Sequence, residues 1–104
     1  MKIPISIPEC FEFLEVVVDD ESLDQMRILK REERVEYHQN LSQYIRNNWL
    51  YGDDSPLIKA LRLQGMTHYH EDALAALIIE LFWEYLQGET FLPDNFLTRL
   101  NNGD

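Results

Sequence analysis

The sequence predicts an all-α protein: a compact single-domain bundle of about five to six helices around a central apolar helix at about residues 71–87. Three observations predict it. Apolar residues recur every three to four positions in one segment after another. Glycine and proline, four of each, stand at the boundaries of those segments. One segment, 71–87, is apolar almost all the way round, as a central buried helix must be.

Residues 1–7 alternate apolar and small side chains around Pro4 and read as an extended arm. Pro8 suits the first turn of a helix, where its missing N–H costs nothing. Phe11, Leu14 and Val18 follow at helical spacing, with Glu9, Glu12 and Glu15 on the other side. The β-branched run Val16-Val17-Val18 leaves the end of this helix open. Asp19, Asp20 and Ser22 are cap-type residues ahead of Leu23, Met26 and Leu29, so a short helix is expected at about 20–29. Its acidic start and basic end, Arg27 and Lys30, match the helix dipole.

Residues 31–50 form the longest helical candidate, with Val35, Leu41, Ile45 and Trp49 on the inner face and Tyr37 and Tyr44 on its edge. Gly52-Asp53-Asp54 breaks the chain. Ser55-Pro56 is a cap and first-turn pair for a short helix carrying Leu57, Ile58, Leu61 and Leu63, which Gly65 stops. In the central helix Leu74, Leu77, Ile78, Leu81, Phe82, Tyr85 and Leu86 share one face, and Gly88 ends it. A last helix at about 93–100 begins at Pro93-Asp94 and offers Phe96, Leu97 and Leu100, with 101–104 as a loose tail.

The 104 residues make one domain, which hides roughly 60–65% of its unfolded surface. A composition of 45% hydrophobic and 27% charged residues is that of a globular chain and not a disordered one. The formal charge of -10 disfavours nucleic-acid binding, which draws its affinity from Lys and Arg on phosphates. It also repels anionic lipid. It suits a basic protein partner, or simply solubility. The charge is uneven. Residues 1–24 carry seven acids and Lys2, a net of -6. Residues 25–50 carry five bases and three acids, a net of +2, and there Arg31 or Arg34 is expected to pair with nearby Glu. Residues 51–104 carry nine acids and three bases, again -6.

Cys10 is the single cysteine, so no intramolecular disulfide forms and a reducing compartment is expected. Its neighbours Glu9 and Glu12 oppose a reactive thiolate. Pro4, Pro8, Glu9 and Glu12 interrupt any signal-peptide core, and no apolar run approaches the ~20 residues of a membrane span. The expected location is cytoplasmic, with no membrane and no nucleic-acid partner, and the free protein is expected to be a monomer or weak dimer.

Few residue sets could carry chemistry. His68 and His70, with Glu71 and Asp72, could converge on a divalent metal if they lie in a loop. They better suit the start of a helix, the acids facing its dipole and a His capping backbone groups. His38 and Ser42 are four apart, but nothing marks a third member that would make a nucleophilic site. There is no phosphate-binding glycine loop. Arg46, Asn47 and Asn48 beside Trp49 suit a buried polar network that ties the helix end to the 52–55 loop. No catalytic residue, metal or cofactor is therefore assigned, and no enzymatic activity is expected.

From about Pro8 to Thr90 the chain resembles an uncharacterised bacterial domain-of-unknown-function family. The resemblance rests on IRNNW at 45–49, GDDSPL at 52–57, QGM-T-H at 64–68 leading into HEDALAALI at 70–78, and YLQGE at 85–89. The family pattern continues from its His with Pro-Asp-Asp-Met-Ser. Here the residues from Tyr69 to Ala75 replace most of that motif. The resemblance implies a helical bacterial domain and brings no catalytic activity with it. Small acidic proteins of this kind look like the immunity proteins of bacterial toxin systems, including contact-dependent growth inhibition. The expected function is accordingly an immunity protein that neutralises a cognate basic toxin domain, a nuclease, by covering its active site. The acids expected at the interface are Glu12, Glu15, Asp19, Asp20, Asp53, Asp54, Glu71 and Asp72. The alternatives are a regulatory or scaffold module, homodimeric through an apolar groove, and a small metal-dependent enzyme at His68 and His70.

Overall fold

The computed structural model describes residues 3–51, 55–67 and 69–101, with the side chains of residues 31, 93 and 94 outside the description. Six α-helices and one 3-10 turn account for the regular structure among them: α1 (Ile7–Val17), α2 (Asp20–Ile28), a 3-10 turn (Arg31–Arg34), α3 (Val35–Trp49), α4 (Pro56–Leu63), α5 (Glu71–Leu86) and α6 (Pro93–Asn101). The all-α bundle is as expected, and α5 is its axis, touching α1, α2, α3 and α6. The Cα radius of gyration, 13.1 Å, matches the roughly 13 Å of a compact chain near 100 residues.

Local chemistry sets the ends of the helices. The Ser6 hydroxyl accepts from the Glu9 N–H at 3.2 Å, and Pro8 lies in the first turn of α1. The preceding segment is not a free arm: Pro4 is buried and Ile3 packs on the core. The valine run stays helical through Val17, and Val18 ends the helix in extended geometry. Ser55 caps α4, its oxygen 3.5 Å from the Ile58 N–H, while its hydroxyl donates to the Trp49 carbonyl. That one buried serine joins the end of α3 to the start of α4. Gly65, at φ +119, takes the left-handed backbone that stops α4.

The core is one cluster drawn from every helix. Leu74, Leu77, Ile78, Ile79 and Phe82 of α5 are buried, each contributing roughly 1.5–3 kcal/mol of transfer free energy. Trp49 is fully buried with edge contacts to Phe13 at 6.2 Å and Tyr44 at 5.8 Å.

Four expectations are corrected. The 31–50 segment is not a single helix: the Glu33 carboxylate accepts from the Lys30 N–H at 2.9 Å, holding a separate 3-10 turn before α3. Val35, at the junction, is therefore 54% exposed and not part of the inner face. Leu63 is 91% exposed, since two positions after Leu61 it falls on the face of α4 opposite the buried Leu57, Ile58 and Leu61. Asn101 is no loose tail: its amide accepts from the Thr67 N–H at 2.9 Å and donates to the Gly65 carbonyl at 3.1 Å, clamping α6 to the turn after α4. Residues 102–104 lie outside the described residues.

Candidate partner-binding face

Helical spacing divides α1 sharply. Phe11 and Leu14 turn inward, which leaves Glu12, Glu15 and Val16 on the outer surface. Asp19 and Asp20 follow about one turn later, both exposed, where α1 gives way to α2. Asp19 makes no side-chain cap bond, so its carboxylate remains available at the surface.

The last turn of α5 meets this acidic surface. The Tyr85 hydroxyl donates to Glu15 Oε1 at 2.5 Å, and its ring stacks on Phe11 with centroids 4.9 Å apart. The bond to the Glu15 carboxylate pushes the Tyr85 hydroxyl above its ordinary pKa, helped by burial and by the charges of Glu15 and Glu12, with Arg27 opposing. Tyr85 is thus a neutral, oriented donor among acids. On the α2 side, Arg27 pairs with Asp24 at 2.7 Å, and its carbonyl accepts from the Gln87 amide at 2.6 Å. Glu12 and Glu15 therefore flank a half-open tyrosine, and the exposed acids Asp19, Asp20 and Asp24 continue along the chain into α2, with Val16, 86% exposed, as an apolar point beside Glu15.

Two of the other expected interface acids lie elsewhere. Glu71 and Asp72 are exposed at the opposite end of α5, 13 positions or roughly 20 Å from Tyr85. Asp72 is already engaged by Arg46, Nη1 to Oδ1 at 2.5 Å, an exposed pair joining the end of α3 to the start of α5. Asp53 and Asp54 lie outside the described residues.

Of the residues expected in a polar network, Arg46 bonds Asp72 of α5, Asn48 bonds back to the Tyr44 carbonyl at 2.9 Å, and Asn47 is exposed; residues 52–54 of the loop lie outside the described residues. Only Trp49 is buried as expected, and Ser55 makes the connection between loop and helix. His70 does cap α5, its Nδ1 accepting from the Asp72 N–H at 3.2 Å, while His68 lies outside the described residues. Among the described residues no group of three or more His, Cys, Asp or Glu side chains could hold a metal ion. Cys10 is fully buried, and burial pushes its thiol far up, away from thiolate chemistry.

Two functional-looking residues were not legible in the sequence. Arg34, expected as a partner of nearby Glu, is only 5% exposed, and its guanidinium lies 3.8 Å from the centre of the Trp83 ring. Trp83 is itself fixed by an indole N–H donated to the Met26 carbonyl at 3.1 Å. Arg34, with Met26, His38, Ile79 and Glu80, borders a pocket of about 260 Å3 between α2, α3 and α5. Its described lining holds no Ser, Cys or Lys nucleophile. Tyr85 was the other, expected on the inward face of α5. Its partner Glu15 is 70 positions away, and no local pattern signals such a pair.

The model of one family, Domain of unknown function (DUF6794), matches residues 3–86. No curated protein and no solved structure matches the chain. The matched stretch contains the whole acidic face from Glu12 to Tyr85, whereas α6 lies beyond it. Among the described residues no helix is long and apolar enough to cross a membrane.

Proposed function

We propose that this chain, which belongs to the family described as Domain of unknown function (DUF6794), is an immunity-type inhibitor that binds a basic toxin domain through its acidic face. The observation that carries the reading is the row of exposed acids Glu12, Glu15, Asp19 and Asp20 along α1 and the start of α2, with Tyr85 bonded to Glu15. A nuclease is the partner chemistry that fits best. Its active site is built to hold phosphate, so its cleft is positive, and an acidic surface can occupy the cleft, exclude substrate and associate fast. Tyrosine is a favoured interface anchor because a large amphipathic ring is immobilised at small entropic cost, and here the hydroxyl is already held.

Co-expression with the product of the neighbouring reading frame tests the proposal. A 1:1 complex whose association rate falls with added salt is the expected result. Reversing Glu12, Glu15, Asp19 and Asp20 to Lys should slow association roughly tenfold or more. An unchanged rate in a variant that still folds would defeat the electrostatic reading. A stable homodimer that captures no basic partner would favour the scaffold alternative instead.

A further inference from the structure

Next to the acidic face, α1, the end of α5 and α6 enclose a cleft of about 350 Å3. Its walls are aromatic. Phe11 and Tyr85 form the stacked pair, and Phe91 meets Phe11 edge-on at 6.0 Å and Phe96 at 6.0 Å. Its rim is charged. Glu84 and Glu89 line it, with Arg99 Nη1 3.9 Å from Glu84 Oε2, beyond hydrogen-bond length. The Glu89 side chain makes no hydrogen bond or ion pair among the described residues. Tyr85 belongs to both features, its hydroxyl turned to Glu15 on the acidic face and its ring lining the cleft.

Aromatic walls under a carboxylate rim select a particular side chain. A long apolar stem can lie along the rings while a cationic head meets the ring faces and the acids. A neutral aliphatic group would fill the interior and leave the rim carboxylates unused. An acidic group would have to compete with Glu84 for Arg99 and would be repelled by Glu89. Between the two long cations, the planar, weakly hydrated guanidinium stacks better on rings and can fork onto a carboxylate. We propose that this cleft is the receptor for one arginine side chain of the partner. The inference rests on the basic partner proposed above and names the anchor that partner would insert.

The test uses the full chain and small probes. N-acetyl-arginine methylamide, its lysine counterpart and its norleucine counterpart are titrated separately while backbone amide NMR shifts are followed. Saturable shifts at Tyr85, Glu89 and Phe91, tighter for arginine than for lysine and weakest for norleucine, are the expected result. Glu84→Gln with Glu89→Gln should weaken the arginine probe about fivefold. Phe91→Leu, which keeps bulk and removes the ring face, should weaken arginine and leave norleucine unchanged. No saturable shift in the cleft, or equal binding of norleucine and arginine, overturns the proposal. The two readings fail separately. If the charge-reversed acidic face loses the partner but the arginine probe does not bind, only the cleft assignment is wrong. If the probe binds but charge reversal leaves the partner complex intact, the cleft stands and the electrostatic reading of the acidic face falls.

Discussion

The Tyr85 hydroxyl donates to the Glu15 carboxylate, joining the last turn of α5 to the outer face of α1 at 2.5 Å. This bond turns a residue with the spacing of a core side chain into part of the surface. It also gives the protein a measurable pH signature. The folded pKa of Tyr85 is raised, so the folded state holds that proton more tightly than the unfolded chain. Its contribution is complete below the ordinary tyrosine pKa of roughly 10 and is lost as pH rises through the folded value. Denaturation midpoints measured from pH 8 to 11 should fall less steeply at the alkaline end in Tyr85→Phe than in the parent. Parallel curves would show that the bond is absent in solution. At neutral pH the substitution should cost about 1 kcal/mol or less, because the site is open to water.

Arg34 should behave as a core residue despite its charge. It is buried against Trp83, so Arg34→Ala removes packing as well as the cation–ring contact. A loss of roughly 2–4 kcal/mol in urea denaturation is expected. Arg34→Lys should recover little of it, since an ammonium cannot stack on the indole. Near-full recovery by lysine would show that charge alone matters there.

Ser55 serves two helices at once. Ser55→Ala deletes the cap of α4 and leaves the buried Trp49 carbonyl without its hydroxyl donor. Together these should destabilise the fold by about 2 kcal/mol. Ser55→Thr, which keeps the hydroxyl, should lose less. Equal losses for the two variants would show that shape and not hydrogen bonding sets the cost.

The Arg46–Asp72 pair lies at the far end of α5 from Tyr85 and is open to solvent. Asp72→Asn should shift stability by under about 1 kcal/mol, less still at high salt. Glu71→Gln with Asp72→Asn should leave the association rate of a basic partner nearly unchanged, in contrast to charge reversal on α1 and α2. A large drop in that rate would place the partner at the α5 N-terminus instead.

Helix chemistry is local, and the local signals were read correctly in most places. Pro8 marks the first turn of α1, Ser55 and Pro56 start α4, Gly65 stops it, and His70 caps α5. Each depends on residues within four positions of one another. The all-round apolar face of α5 likewise required a central place. The errors came where a residue's environment was set by distant chain. Nothing near Arg34 signals that Trp83, 49 positions on, offers it a ring. Arg46 likewise meets Asp72, 26 positions on.

The sequence alone determined that this protein is a bundle of helices about one apolar axis and that it carries a large excess of acid, because helix periodicity and net charge are properties of neighbouring residues and of composition. Only the tertiary structure decided which acids share a surface. Packing on α5 brings Glu12 and Glu15 to Tyr85 and sends Asp72 to the opposite end, since a rigid helix of 16 residues holds its two ends roughly 24 Å apart whatever charges they bear.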